Sequence, residues 1–184
     1  MVWIILIIVV LLILFIISVY NSLVTLRQRV KNAFGQMDVQ LQRRFDLIPN
    51  LVETVKGYMT HESDTLAKVT ELRTAWAGAK TVDEKAKLDN ELSNTLKTIM
   101  AVAEAYPDLK ANQNFESLQN ELTETEDKIS YSRQFYNDTV TRYNTKLELF
   151  PSNIIAGMFH FTAESLFEVD SAEARKNVKV DFNK

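Results

Sequence analysis

The 184-residue chain has no cysteine, so neither a disulfide framework nor a thiolate metal site is possible. Only 4 glycines and 3 prolines interrupt it. That scarcity disfavours a fold of short strands and tight turns and favours long helices. A basic excess is also missing: 24 acidic residues against 21 basic ones leave a formal net charge of -3. Nucleic acid is therefore not expected as a partner, because its phosphates call for a basic footprint. Histidine occurs only as His61 and His160. His61-Glu62 does not open an H-E-x-x-H motif, since Thr65 stands where the second histidine would be. Neither histidine has an acidic cluster at ligand spacing, and both read as surface residues. Nucleophile-elbow, Walker and dinucleotide glycine motifs are absent as well.

What the chain does have comes first in it. Residues 1–20, MVWIILIIVVLLILFIISVY, carry no charge, and Ser18 is the first polar interruption. At a ~1.5 Å rise per residue, about 20 apolar residues cross a ~30 Å hydrocarbon core. A helix also satisfies its own backbone groups in lipid. Trp3 and Tyr20 stand at the two ends, where amphipathic rings favour the headgroup layer. A cleaved signal peptide would need a basic leader and a small-residue exit, and neither is present. A buried core helix would show a polar face. The reading is a single-pass transmembrane anchor. Arg27, Arg29, Lys31, Arg43 and Arg44 follow the span and nothing basic precedes it but the α-amino group. By the positive-inside rule the N-terminus is expected outside and the bulk of the chain in the cytoplasm.

From Leu23 the apolar spacing turns periodic. Leu23, Leu26, Val30, Phe34, Met37, Leu41 and Phe45 mark one face of a helix, with Arg27, Lys31, Gln36, Gln40 and Arg43 opposite. Gly35 suggests a close helix approach or a bend. Asp46-Leu47-Ile48-Pro49 reads as a new helix start capped by Asp46, or else as a kink in one long helix. Ile48 to Trp76 then form a second helix that leaves at Ala77-Gly78-Ala79-Lys80. Thr81 with Glu84 is a capping box for a third helix, ended by Tyr106-Pro107. A fourth runs from Phe115 through Leu118, Leu122, Thr125, Ile129, Ser132, Tyr136, Val140, Tyr143 and Leu147 to Phe150, in coiled-coil spacing. The expected architecture is all-α: a transmembrane anchor over 1–20, an elongated antiparallel helical bundle over 21–150, and a tail over 151–184. In the tail, Ile154 to Phe167 is apolar enough to fold back as a short helix, or to contact another subunit or the membrane interface. Val178 to Phe182 alternates like a short strand.

Several patterns resemble sites without amounting to one. Glu104-Ala105-Tyr106-Pro107-Asp108 reads as a turn with Tyr106 packed beneath it. Arg43-Arg44-Phe45-Asp46 reads as an Arg–carboxylate anchor at a helix junction, with Glu62 or Glu104 as the partner. Asn137-Asp138-Thr139 matches a glycosylation pattern but lies on a regular helix. Tyr131, Phe135, Tyr136 and Tyr143 are assigned to the core. Glu121, Glu124, Glu126 and Asp127 form a solvated acidic stretch without the glycine-centred turn of a calcium loop. No catalytic, cofactor-binding or metal-binding residue is assigned, and no enzymatic activity is expected.

Longer motifs point to a family. Tyr20-Asn21-Ser22-Leu23-Val24 is followed by Val39-Gln40-Leu41-Gln42-Arg43-Arg44, and then by a run from Asp46 to Gly57 and His61-Glu62. Ala103 to Asn112, Tyr136-Asn137, Tyr143-Asn144 and Phe150-Pro151-Ser152-Asn153 complete the set. Over residues 20–182 the chain resembles the LemA family of bacterial membrane proteins, departing from it only at Phe34-Gly35, where relatives often carry a Trp-Ser-like pair. The resemblance implies a single-span anchor bearing a cytoplasmic helical bundle. A magnetosome-associated branch of that family implies a role in membrane organisation, and the resemblance brings no catalytic residues with it. The expected function is thus a membrane-anchored scaffold in the bacterial inner (plasma) membrane, with the lipid bilayer and further copies of itself (a homo-oligomer) as partners. The alternative is an adaptor or sensor that binds another membrane protein, such as a protease or a signalling system.

Overall fold

A computed structural model describes residues 1–59 and 61–168. Seven helices and no strand occur among the described residues: α1 (Val2–Asp46), α2 (Ile48–Lys56), α3 (Ser63–Gly78), α4 (Val82–Ala103), α5 (Pro107–Lys110), α6 (Gln113–Glu148) and α7 (Ser152–Met158). The alternating stretch Val178 to Phe182 lies outside the described residues.

α1 is one uninterrupted helix of 45 residues, so the apolar run and the first bundle helix share a single rod. Its most apolar 18 residues have a mean hydropathy of 3.6 and pack against almost nothing in the chain. A helix that is apolar on every side and uncovered is long enough to cross a bilayer. Burial begins at Val19 and Leu23 and continues through Val30, Ala33, Met37, Leu41, Arg44 and Phe45. Gly35 does not break the helix and admits no neighbour. It is exposed, and a Cβ placed there would meet nothing within 4 Å.

The junction at Pro49 is a kink rather than a fresh start. Leu47 keeps right-handed helical angles, its N–H donates to the Arg43 and Arg44 carbonyls, and the Leu51 N–H donates back to Leu47. Pro49 has no N–H to donate, so the hydrogen-bond ladder is interrupted at this point. Asp46 does not cap α2, since no side chain caps it. The Asp46 carboxylate accepts instead from Gln42 Nε2 at 2.8 Å. The expected continuous helix from Ile48 to Trp76 is broken: α2 stops at Lys56 and α3 restarts at Ser63. Buried Val55 and Met59 belong to the same core as Leu66 and Val69. Folding the chain back at Gly57 lets the apolar faces on both sides of the break reach that core.

The capping box at Thr81 forms as its spacing predicts. The Glu84 N–H donates to Thr81 Oγ1 at 3.1 Å, and the Glu84 carboxylate accepts from the Thr81 N–H at 3.1 Å. Pre-proline Tyr106 leaves the helical region, and Asn112 caps α6 by accepting from the Asn114 and Phe115 amides. α1 and α6 are antiparallel neighbours: Phe34 meets Tyr136, and Arg44 meets Glu126 further along one helix and further back on the other. α3 and α4 form a helical hairpin against this pair, with the Trp76 ring stacked on Phe45 at 4.3 Å. Trp76 Nε1 donates to Gln42 Oε1 at 2.9 Å, which satisfies the one polar atom of that buried ring. Phe34, the departure from the family pattern, packs on Tyr136 with centroids 5.6 Å apart and carries Lys85 over its face.

Candidate functional site

Two polar arrangements are built into the bundle, and neither has the form of a catalytic centre. The first is an ionic hub. Arg44 on α1 is 1% exposed, and its guanidinium reaches Asp89 on α4 and Glu126 on α6. One side chain thereby ties three long helices. Asp89 occupies an apolar seam position between Ala86 and Leu92, and Arg44 sits in the same way between Leu41 and Phe45. Burial raises the Asp89 carboxyl to about 6, against the pull of Arg44, while the neighbouring Glu126 charge raises it further. The expected Arg–carboxylate anchor therefore exists, but not with the expected partners. Glu62 accepts from the Tyr106 hydroxyl at 3.0 and 3.1 Å, and Glu104 pairs with Lys110. The Glu62 hydrogen bond holds the Tyr106 phenol above its ordinary range and fastens the Tyr106 turn to the start of α3. Glu126 leaves the solvated acidic stretch to join the hub, whereas Glu124 pairs with Lys128 one turn on.

The second arrangement is a clamp. After α7 the chain runs extended over 161–168 and returns along α6. Tyr143 Oη donates to the Thr162 carbonyl at 3.0 Å, and Tyr136 Oη donates to Ser165 at 2.8 Å. Asn144 grips Glu164 from both sides: its Oδ1 accepts from the Glu164 N–H at 3.0 Å and its Nδ2 donates to the Glu164 carbonyl at 2.9 Å. Asn137 does the same to Phe167, at 2.9 and 3.2 Å. Side-chain amides thus replace the neighbouring strand that an extended segment would otherwise need. Asn90 on α4 adds a bond to the Glu168 carbonyl at 3.2 Å, and the Phe167 ring is buried in the main core. Burial pushes the Tyr136 phenol up to about 12, so it stays a donor throughout the ordinary pH range. The glycosylation pattern at Asn137 is a coincidence of this role, since its amide is fully engaged.

Among the described residues, no group of His, Asp and Glu side chains could hold a metal ion. His61 and His160 are both exposed, as expected. His160 takes a φ of 55° and closes α7 in a Schellman motif, with the Phe161 N–H donating to Ala156 and the His160 N–H to Gly157. Of the four aromatic residues assigned to the core, Tyr136 and Tyr143 are buried. Tyr131 and Phe135 are 75% and 48% exposed, one turn apart on the outer face of α6. The heptad repeat places 136 and 143 inward, and 131 and 135 fall outside that seam.

The Tyr136-Asn137 and Tyr143-Asn144 pairs, spaced by one heptad, are among the motifs that carry the family resemblance, and the clamp shows what each pair does. The LemA family profile matches residues 33–182, which is most of the chain. The chain belongs to the LemA family. Protein LemA of Metamycoplasma hominis is 24% identical over 155 residues, covering 83% of this chain and 70% of that protein. One of the magnetosome proteins MamQ of Paramagnetospirillum magneticum is 25% identical over 175 residues, and MamQ of Magnetospirillum gryphiswaldense is 21% identical over 174. This LemA-family chain spans 64% of the length of each MamQ relative.

The double amide grip predicts a local effect. Asn137→Ala should weaken protection of the Phe167 amide, and Asn144→Ala that of the Glu164 amide, by about 1–2 kcal/mol each. Hydrogen exchange read residue by residue over 161–168 checks this. Global unfolding should move little, because the buried Phe167 ring still holds the segment.

Proposed function

We propose that this LemA-family protein is a non-enzymatic scaffold, anchored in the bacterial inner membrane by the first half of α1, that self-associates laterally and organises the membrane patch around it. The observation that carries the reading is the continuity of α1. An uncovered apolar rod passes without a linker into an inward-packed seam of the bundle that runs from Val19 to Phe45, so the bundle is held in fixed register with the lipid. A freely swivelling tether would suit a soluble domain that works at a distance, whereas a stiff joint passes the geometry of the bundle to the bilayer. Tyr131 and Phe135 supply an aromatic surface for the next copy. The magnetosome names of the MamQ relatives agree with a structural role at a membrane. Arg27, Arg29 and Lys31 beyond the span support a cytoplasmic side for the bundle by the positive-inside rule.

The test uses the absence of native cysteine. Tyr131→Cys in native membranes, treated with a bifunctional maleimide, should give a covalent dimer of the chain, since each copy offers one thiol. Monomer alone would end the scaffold reading. The same exposed aromatic pair also suits an adaptor for another membrane protein, and a single adduct of constant foreign mass would favour that second reading.

A further inference from the structure

The apolar surface at the membrane-proximal end of the bundle is larger than an anchor requires. Leu149, Phe150, Ile154, Met158 and Phe159 are 48–79% exposed, and all lie at the corner where α6 passes into α7. We infer that this corner is a second membrane-contacting element, laid into the interfacial layer of the bilayer that α1 crosses. The inference rests on the anchor reading above and extends it to a new surface.

The depth of the corner is set by what it touches. Ile155 and Ala156 on the inner face of α7 pack with Val19 and Leu23 of α1, and Ile16 joins them from within the apolar run. The Tyr20 ring meets Phe159 at 4.8 Å and Phe161 at 5.7 Å. α7 is thus fastened to the last turn of the apolar rod. Contact with Ile16, four residues below Tyr20, places the corner about 6 Å inside the end of that rod. Interfacial elements sit ~5–10 Å into the headgroup and acyl boundary, with an apolar side down and cations above. The outer face of α7 and the α6 end fit that layer. A helix of seven residues cannot span the bilayer. Above it the Arg27 guanidinium covers the Phe161 ring at 5.0 Å, with Arg29 and Lys31 further up α1 and Lys146 near the end of α6. Glu148 is the acidic side chain of this corner, exposed on the last turn of α6.

A second copy of the chain could also cover an apolar corner. Lipid is favoured because the patch is continuous with the rod and is held at its depth whatever the oligomeric state.

Single cysteines at Phe150→Cys and Met158→Cys, on the otherwise cysteine-free full chain, carry an environment-sensitive fluorophore in vesicles of phosphatidylcholine and phosphatidylglycerol. Lys110→Cys, on the exposed side of α5, is the water-facing control, and Leu12→Cys reports the span itself. The expected result is aqueous iodide quenching about ten-fold lower at 150 and 158 than at 110, with strong quenching by spin-labelled lipid. Equal iodide access at 150, 158 and 110 with Leu12→Cys shielded would overturn this inference and leave the anchor standing. Iodide access at Leu12→Cys as well would overturn both. Shielding at 150 and 158 without lipid quenching, accompanied by self-adducts through Phe150→Cys, would assign the corner to a second copy and overturn the inference.

Discussion

Replacing Arg44 by alanine should lower the unfolding free energy of the detergent-solubilised chain by about 3–5 kcal/mol. The guanidinium is almost fully buried and cannot lose its charge, so Asp89 and Glu126 are the groups that make its position tolerable. Without it the Asp89 carboxylate, 2% exposed, faces the interior with no cation in contact and takes up a proton. A double variant, Arg44→Met with Asp89→Leu, should recover most of the loss, because well-packed apolar side chains often match a buried ion pair. Chemical denaturation of the three proteins decides this. If the double variant were as weak as the single one, packing rather than charge would explain the effect. The hub also fixes the sign of the pH dependence. Asp89 titrates near 6 in the folded chain and near ~3.9 when unfolded, so between these values the folded state holds a proton that the unfolded state has released. Its contribution therefore favours folding at the acid end of that window and falls by roughly 2–3 kcal/mol as pH rises through it. Glu84 and Glu124 have lowered values and act in the opposite sense, losing stability below their ordinary range. From pH 5 to pH 7 the Asp89 trend should dominate, and Asp89→Asn should flatten it.

The same hub shows why part of the architecture could be read from the residues and part could not. Apolar spacing located α4 and α6, and the Thr81–Glu84 capping box marked a helix start to the residue, since both are properties of neighbours in the chain. The uncharged opening run was legible for the same reason. The partner of Arg44 was not. Glu62 and Glu104 looked closer to the helix junction, but Asp89 is the carboxylate that shares the inward seam. A charged residue standing in register with Ala86, Leu92 and Leu96 is the signal that would have revealed it. The break after Lys56 was missed because the apolar period carries on across it, and only Gly57 hints that the chain folds back. The clamp needed both halves in view. Two Tyr-Asn pairs one heptad apart are visible on α6, but nothing local says that their amides hold backbone 20 and 30 residues away. Asp46 and Gly35 failed in a different way. Each has a plausible local role that the packed bundle leaves unused.

Placing two arginines in the opening run, Ile8→Arg with Leu12→Arg, should release the protein from the membrane while leaving its bundle folded. The Leu, Ile, Val and Phe side chains between Val2 and Val19 favour insertion by ~0.3–0.6 kcal/mol each, which amounts to roughly 5–10 kcal/mol. Each arginine near the helix centre opposes it by ~2.5–3.5 kcal/mol, so the pair brings the balance close to zero. Ile8 and Leu12 lie one turn apart near the middle of the rod, too far from either end to reach the headgroups easily. Both are exposed and belong to no core cluster, so their replacement costs the bundle nothing. The measurement is the alkali-resistant membrane fraction, with circular dichroism on the released chain to show that the helices persist. Leu12→Ala, which removes bulk without adding charge, should stay in the membrane. Full retention of the double-arginine variant would mean that the α6–α7 corner or a partner holds the chain at the bilayer, and the rod would then be a positioning element instead of the anchor. Partial retention that disappears when Phe150→Glu is added would divide the attachment between the two, as expected if the corner adds a smaller interfacial term to a spanning one.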